Sequence, residues 1–243
     1  MPFESVYVAN NVTDTAETMN AALASGLHLV ITPGVYSLTA PLLVNHTGQV
    51  VLGLGLATLV SGNGNAVIQV GNVDAVRIAG PMILQAGTKP TPALLQWGDG
   101  TYAGSAAAPG AIYDVFARVG GPDYVPVQVK VMLSIDSGNV FTDNMWLWRA
   151  DHTVTGIVKN SDNPVDHGLI VTGDNVNAYG LAVEHTLQDL VQWTGENGAT
   201  YFFQSEMPCT WPRECGAALP RTRPYANHTR CCASVTSCCP QMT

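Results

Sequence analysis

The sequence predicts an all-β chain wound as a single-stranded parallel β-helix, with a short helix capping its first coil. The leading observation is a repeat. Asn175-Val-Asn-Ala-Tyr-Gly-Leu-Ala-Val-Glu-His185 and Asn197-Gly-Ala-Thr-Tyr-Phe-Phe-Gln-Ser-Glu-Met207 align without a gap, setting Tyr179 over Tyr201 and Glu184 over Glu206 at an offset of 22 residues. An asparagine turn leading into a short apolar strand, repeated at that length, is the pattern of coils stacked on one another. A third copy, Asn139 to Trp148, aligns at an offset of 36, so a loop is expected between those coils; residues 151–167, polar and containing Gly, Pro and Asp, suit it. Composition agrees: 47% apolar, 12% charged, 24 glycines and 15 prolines in 243 residues fit many short strands and tight turns.

The elements follow in order. Thr13, Asp14 and Thr15 offer N-caps for a helix over 16–25 that Gly26 can close, and such a helix would cover an otherwise open solenoid end. Leu27 to Ile31 reads as a strand, Pro33-Gly34 as a turn and Val35 to Leu38 as a second strand. Apolar strands are expected at 50–54, 66–70, 76–78, 82–85, 94–97, 112–119 and 127–135, with loops at 88–91 and 98–109. Gly53-Leu-Gly55 partly resembles a dinucleotide fingerprint, but the third glycine and the helix are missing, so coil turns explain it better.

Side chains alternate along a strand, so Trp148, Glu184 and Glu206 share one outward column. Met145, Leu181 and Phe203, like Leu147, Val183 and Ser205, point the other way. Stacked strands lie roughly 4.8 Å apart, which brings the two carboxylates side by side. Two acids that close cannot both ionise easily, and a carboxyl that keeps its proton can protonate a glycosidic oxygen. Trp148 beside them offers an apolar platform for a sugar ring. The pairs Asp151-His152, Asp166-His167 and Glu184-His185 lack metal-ligand spacing, so hydrogen bonding in loops is the preferred reading and neither metal nor cofactor is expected.

Several runs resemble glycoside hydrolase family 55, in its bacterial-type exo-β-1,3-glucanases (laminarinases). They are Trp146-Leu-Trp-Arg-Ala-Asp-His152, Asp166 to His185, Trp193 to Pro208, Pro33-Gly-Val-Tyr36, Val51 to Leu56 and Asp114 to Gly121, covering about residues 3–208. The resemblance implies a right-handed, pectate-lyase-like solenoid corresponding to the second of the family's two β-helices. It implies an extracellular, secreted enzyme that releases glucose from β-1,3-glucan with inversion. Glu206 takes the place of the general acid and Glu184 that of a second essential carboxylate. Trp148, Asp151, His152, Trp193, Tyr201 and Gln204 are the expected substrate contacts. The family's water-holding groups come largely from the first β-helix, so this chain is expected to be weak or inactive alone and to expose apolar surface within 50–70. Carboxylates one coil apart are nearer the roughly 5 Å of retaining enzymes than the 6.5–9.5 Å of inverting ones, so Glu184 is expected to tune Glu206 and contact sugar while water is held elsewhere.

Other functions fit less well. A net charge of −8 without a basic stripe argues against nucleic acid, and no apolar run reaches membrane-spanning length. The start, Met1-Pro-Phe-Glu-Ser, lacks a secretory leader's pattern. A non-catalytic glycan-binding or structural β-solenoid is the alternative. A pectate-lyase-like eliminase needs a basic residue and usually calcium, which the Trp-Glu-Glu column suits poorly. All six cysteines fall in 209–243, read as an irregular tail; disulfides, a zinc site and an abnormal product of splicing or frame remain open there.

Overall fold

The computed structural model describes residues 2–121, 126–153 and 156–208. The cysteine-rich segment after Pro208, and with it the domain boundary and the tail readings, lies outside the described residues.

In chain order the elements are β1 (Val6–Ala9), α1 (Ala16–Ala24), β2 (His28–Ile31), β3 (Val35–Leu38), β4 (Leu42–Val44), β5 (Val50–Gly53), β6 (Ala57–Ser61), β7 (Ile68–Val70), β8 (Arg77–Gln85) and β9 (Thr91–Trp97). They continue with β10 (Gly110–Val119), β11 (Val129–Ile135), β12 (Val140–Arg149), β13 (His152–Thr153), β14 (Gly156–Ile157), β15 (Val165–Val171), β16 (Asn177–Glu184), β17 (Val191–Trp193) and β18 (Ala199–Glu206). One sheet runs β1-β2-β5-β8-β10-β12-β16-β18, with β3 paired to β6 and β6 to β8; a second runs β17-β15-β11-β9-β7-β4. Among the described residues every pairing in both sheets is parallel, and only the small β13–β14 hairpin is antiparallel. Successive strands of one sheet come from successive coils, which makes this a parallel β-helix.

The repeat sets the register. Trp148 pairs with Glu184 and Glu184 with Glu206, so the offsets of 36 and 22 residues are those of the folded coils. Asn139, Asn175 and Asn197 open their coils at φ +55, +58 and +58, a left-handed conformation asparagine enters at little cost. A second left-handed column bends each long strand once, at Gly80, Asp114, Asn144, Gly180 and Phe202. Asn144 Nδ2 donates to Asp114 Oδ1 at 2.6 Å across that bend. At Gly80, φ +88 places the position where a Cβ would lie 2.1 Å from the Gly53 carbonyl oxygen, so only glycine fits.

Inward positions stack into apolar ladders. Leu29, Val51, Ile78, Ile112, Thr142 and Ala178 form one buried column, and Leu59, Leu84, Ala117, Leu147 and Val183 another. Each large aliphatic so buried contributes about 1.5–3 kcal/mol. Helix α1 begins at the Thr15 cap, with Thr18 reciprocating, and buries Met19 and Leu23. Its Asn20 bonds Pro41 O and Leu43 N, both at 2.8 Å, satisfying edge strand β4 as a cap should.

Some expectations are corrected. Strands β1, β4 and β6 were not anticipated, and residues 76–78 and 82–85 belong to one bent strand, because the left-handed Gly80 turns the chain without ending its pairing. The loop expected over 151–167 ends earlier: Val165 starts β15, so His167 is a buried strand residue bonded to Asp189 O at 3.2 Å. Thr91 likewise opens β9 instead of closing a loop. Between 50 and 70, Val51, Ala57, Leu59, Val67, Ile68 and Val70 are buried; only the turn residues Leu54 and Leu56 are exposed large apolars there.

Candidate active site

After the bend, β12, β16 and β18 present two outward columns. One is Arg118, Trp148, Glu184 and Glu206; the neighbouring one is Phe116, Trp146, Ala182 and Gln204. Trp146 and Trp148, two residues apart on one face, stack at 5.3 Å with an interplanar angle of 22°. The His152 ring closes on Trp148 at 5.9 Å. Indole faces, one of them substantially exposed, therefore lie beside the carboxylates.

The two acids differ in setting. Glu184 is half-buried, and burial pushes its carboxyl above the ordinary range; the Glu206 charge adds to this, while a hydrogen bond from Trp146, the nearby His185 and a bond from Gln204 oppose it. Glu206 has 49% of its side chain exposed, and its Oε1 accepts from Gln204 Nε2 at 3.2 Å. Carboxyl oxygens of the two and an imidazole nitrogen of His185 lie within 4.8 Å of one another. Nδ1 of His185 lies 3.1 Å from Met207 O, and Nε2 faces Glu206 Oε2 at 3.5 Å and Asp151 Oδ2 at 3.7 Å. Asp151 in turn holds His152 Nδ1 at 2.8 Å. Beneath them Arg149, 1% exposed, donates to Asn163 O, His185 O and Lys159 O at 3.0, 3.2 and 3.0 Å, tying the backbone at 159 and 163 to the coil that carries His185.

A family model for the LAM55 pectate lyase-like domain matches residues 6–206. The chain belongs to this family. The LAM55 domain is 42% identical over 207 residues to an exo-beta-1,3-glucanase of Streptomyces sp. (strain SirexAA-E / ActE), covering 85% of this chain and 33% of that protein. It also matches the solved structure of sacteLam55A from Streptomyces sp. SirexAA-E, at TM-score 0.79 and 40% identity, over 85% of this chain and 37% of that one. A glutamate-to-alanine variant of sacteLam55A in complex with glucose matches at TM-score 0.79 and 41% identity, with the same coverage. The LAM55 domain thus spans about a third of the length of the curated relative it matches.

Of the expected site residues, the fold gathers Glu184, Glu206, Trp148, Asp151, His152 and Gln204. Two stand apart. Trp193 lies on β17 in the second sheet, continuing the inward column of Trp97, Ile135 and Val171, and packs against the core. Its strand alternation turns it inward, so it does not reach the carboxylates. Tyr201 precedes the Phe202 bend and stacks on Tyr179 at 4.9 Å and 8°, on the far side of that bend from Glu206. Sequence reasoning missed Trp146, His185 and Arg149 as site members. Trp146 was within reach, because alternation puts it on the face of Trp148; the other two depend on tertiary packing.

Proposed function

We propose that the LAM55 domain binds β-1,3-glucan and supplies the acid side of a glucan-hydrolysing active site. Glu206 is the proton donor to the glycosidic oxygen, and Glu184 is the second carboxylate that shares its proton and contacts sugar. The observation that carries the reading is the pair of in-register acids, one half-buried and one open to solvent, beside the Trp146–Trp148 stack. Interacting carboxyls titrate as a pair, so a proton held by the pair is available at the exposed member. The tryptophan faces provide the apolar surface on which a pyranose ring rests.

Water activation is assigned to groups outside this chain. An inverting reaction needs about 6.5–9.5 Å between acid and base for a water to fit between them. The Glu184 and Glu206 oxygens, within 4.8 Å, leave no such room. The chain by itself is therefore a binder with little or no turnover.

The test measures glucose release from laminarin by the purified 243-residue protein beside the longer Streptomyces glucanase, with laminarin and polygalacturonate binding followed by affinity electrophoresis. Retardation by laminarin with glucose release far below the longer enzyme supports the reading. Comparable turnover would locate the water-holding group within this chain. Retardation by polygalacturonate alone would end the glucan assignment.

A further inference from the structure

His185 follows Glu184 directly, adopts φ +64, and has only 4% of its side chain exposed. Its backbone N–H donates to Glu206 O at 2.7 Å, tying it to the coil of the acid. Nδ1 lies 3.1 Å from Met207 O. A carbonyl only accepts, so Nδ1 carries the hydrogen. Nε2 is then left facing two carboxylates, Glu206 Oε2 at 3.5 Å and Asp151 Oδ2 at 3.7 Å. A bare lone pair aimed at two anions is unfavourable. A proton must sit between them, either on the ring or on a carboxyl.

We infer that His185 is the positioning residue for Glu206: its Nε2 proton, held against Asp151, aims the Glu206 carboxyl and supplies it with a proton. This rests on Glu206 being the acid. The step is simple: the Nε2–H bond breaks, an O–H bond forms on Glu206 Oε2, and the ring is left neutral with its Nδ1–H. The ring regains a proton from water where Asp151 and His152, 25% and 65% exposed, meet solvent. The charged groups around the ring are Glu184, Glu206 and Asp151, with His152 behind Asp151. Arg149 bonds the His185 carbonyl at 3.2 Å and feels Asp151 and Asp162. Arg149 also donates to Lys159 O and Asn163 O, so its buried guanidinium ties the backbone at 159 and 163 to the coil that carries His185.

The experiment is an NMR pH titration of the whole 243-residue chain labelled with ¹⁵N in its histidine rings, the His185 signals being assigned by their loss in His185→Gln. The inference expects a protonated Nδ1 and an imidazolium form lost at lower pH in both Glu206→Gln and Asp151→Asn, since each removes an anion facing Nε2. His46, bonded to Ala24 O at the capping helix, keeps its titration in both and reports that the fold is intact. An unprotonated Nδ1, or a His185 titration that Glu206→Gln leaves in place, would overturn it; if that variant does not fold, a titration left in place by Asp151→Asn overturns it equally. Laminarin binding is read separately by affinity electrophoresis. Coupled titration without laminarin retardation counts against the glucan reading and leaves the coupling standing, whereas laminarin retardation with an uncoupled His185 removes the inference alone.

Discussion

Glu206 lies one coil beyond Glu184 in strict strand register, yet the two carboxyl groups occupy different surroundings. Glu184 sits half-buried under the Trp146 hydrogen bond, and Glu206 projects into solvent with Gln204 on one oxygen and His185 near the other. Paired acids pushed apart by environment are how one site holds a proton and a charge at once.

Glu206→Gln keeps the shape and the Gln204 contact while removing the transferable proton. In an active glucanase carrying this domain, turnover on laminarin should fall by about 100-fold or more, with laminarin binding retained. Glucose release and affinity electrophoresis measure the two. Near-normal turnover would remove Glu206 from the acid's role.

Glu184 makes stability depend on pH in a definite sense. Its folded-state value lies above the ordinary 4.5, chiefly through burial, so its stabilising contribution is complete below 4.5 and is lost as pH rises through the raised value. The melting temperature of the wild type should therefore drop relative to Glu184→Gln as pH is raised from 4.5. Parallel curves for the two proteins would contradict the burial.

Arg149 is buried with three backbone carbonyls as acceptors. Arg149→Met fills similar space but leaves those carbonyls without their donor, and should cost about 3 kcal/mol in urea unfolding. A loss within measurement error would mean that the loop over 156–163 is held by other contacts.

The two bend glycines should respond differently. Gly80→Ala sets a methyl 2.1 Å from Gly53 O at φ +88 and should destabilise by about 2 kcal/mol or more. At Gly180, φ +58 with the nearest heavy atoms at 3.6 Å admits the asparagine already present one coil earlier at Asn144, so Gly180→Asn should change stability by no more than about 0.5 kcal/mol. Equal effects in thermal unfolding would contradict the steric account.

Much of the fold was legible in the residues themselves. Period-two alternation and a gapless repeat are local properties, so the Trp148–Glu184–Glu206 column, the inward ladder through Leu147 and Val183, and a capped helix α1 all followed from the sequence, while the structure chose Thr15 among the three candidate caps. What lies beyond a bend did not follow. His185 sits next to a column residue in sequence, but φ +64 turns it out of the alternation and into the coil above. Trp193 carries the look of a sugar platform, and only the pairing of β17 with β15 shows that it faces the core. The difference in burial between Glu184 and Glu206 came from tertiary structure too, because burial is set by neighbouring coils. Sequence spacing fixes which residues stack along a column. Dihedral choice at single turn residues, and the loops folded over them, decide what those columns meet.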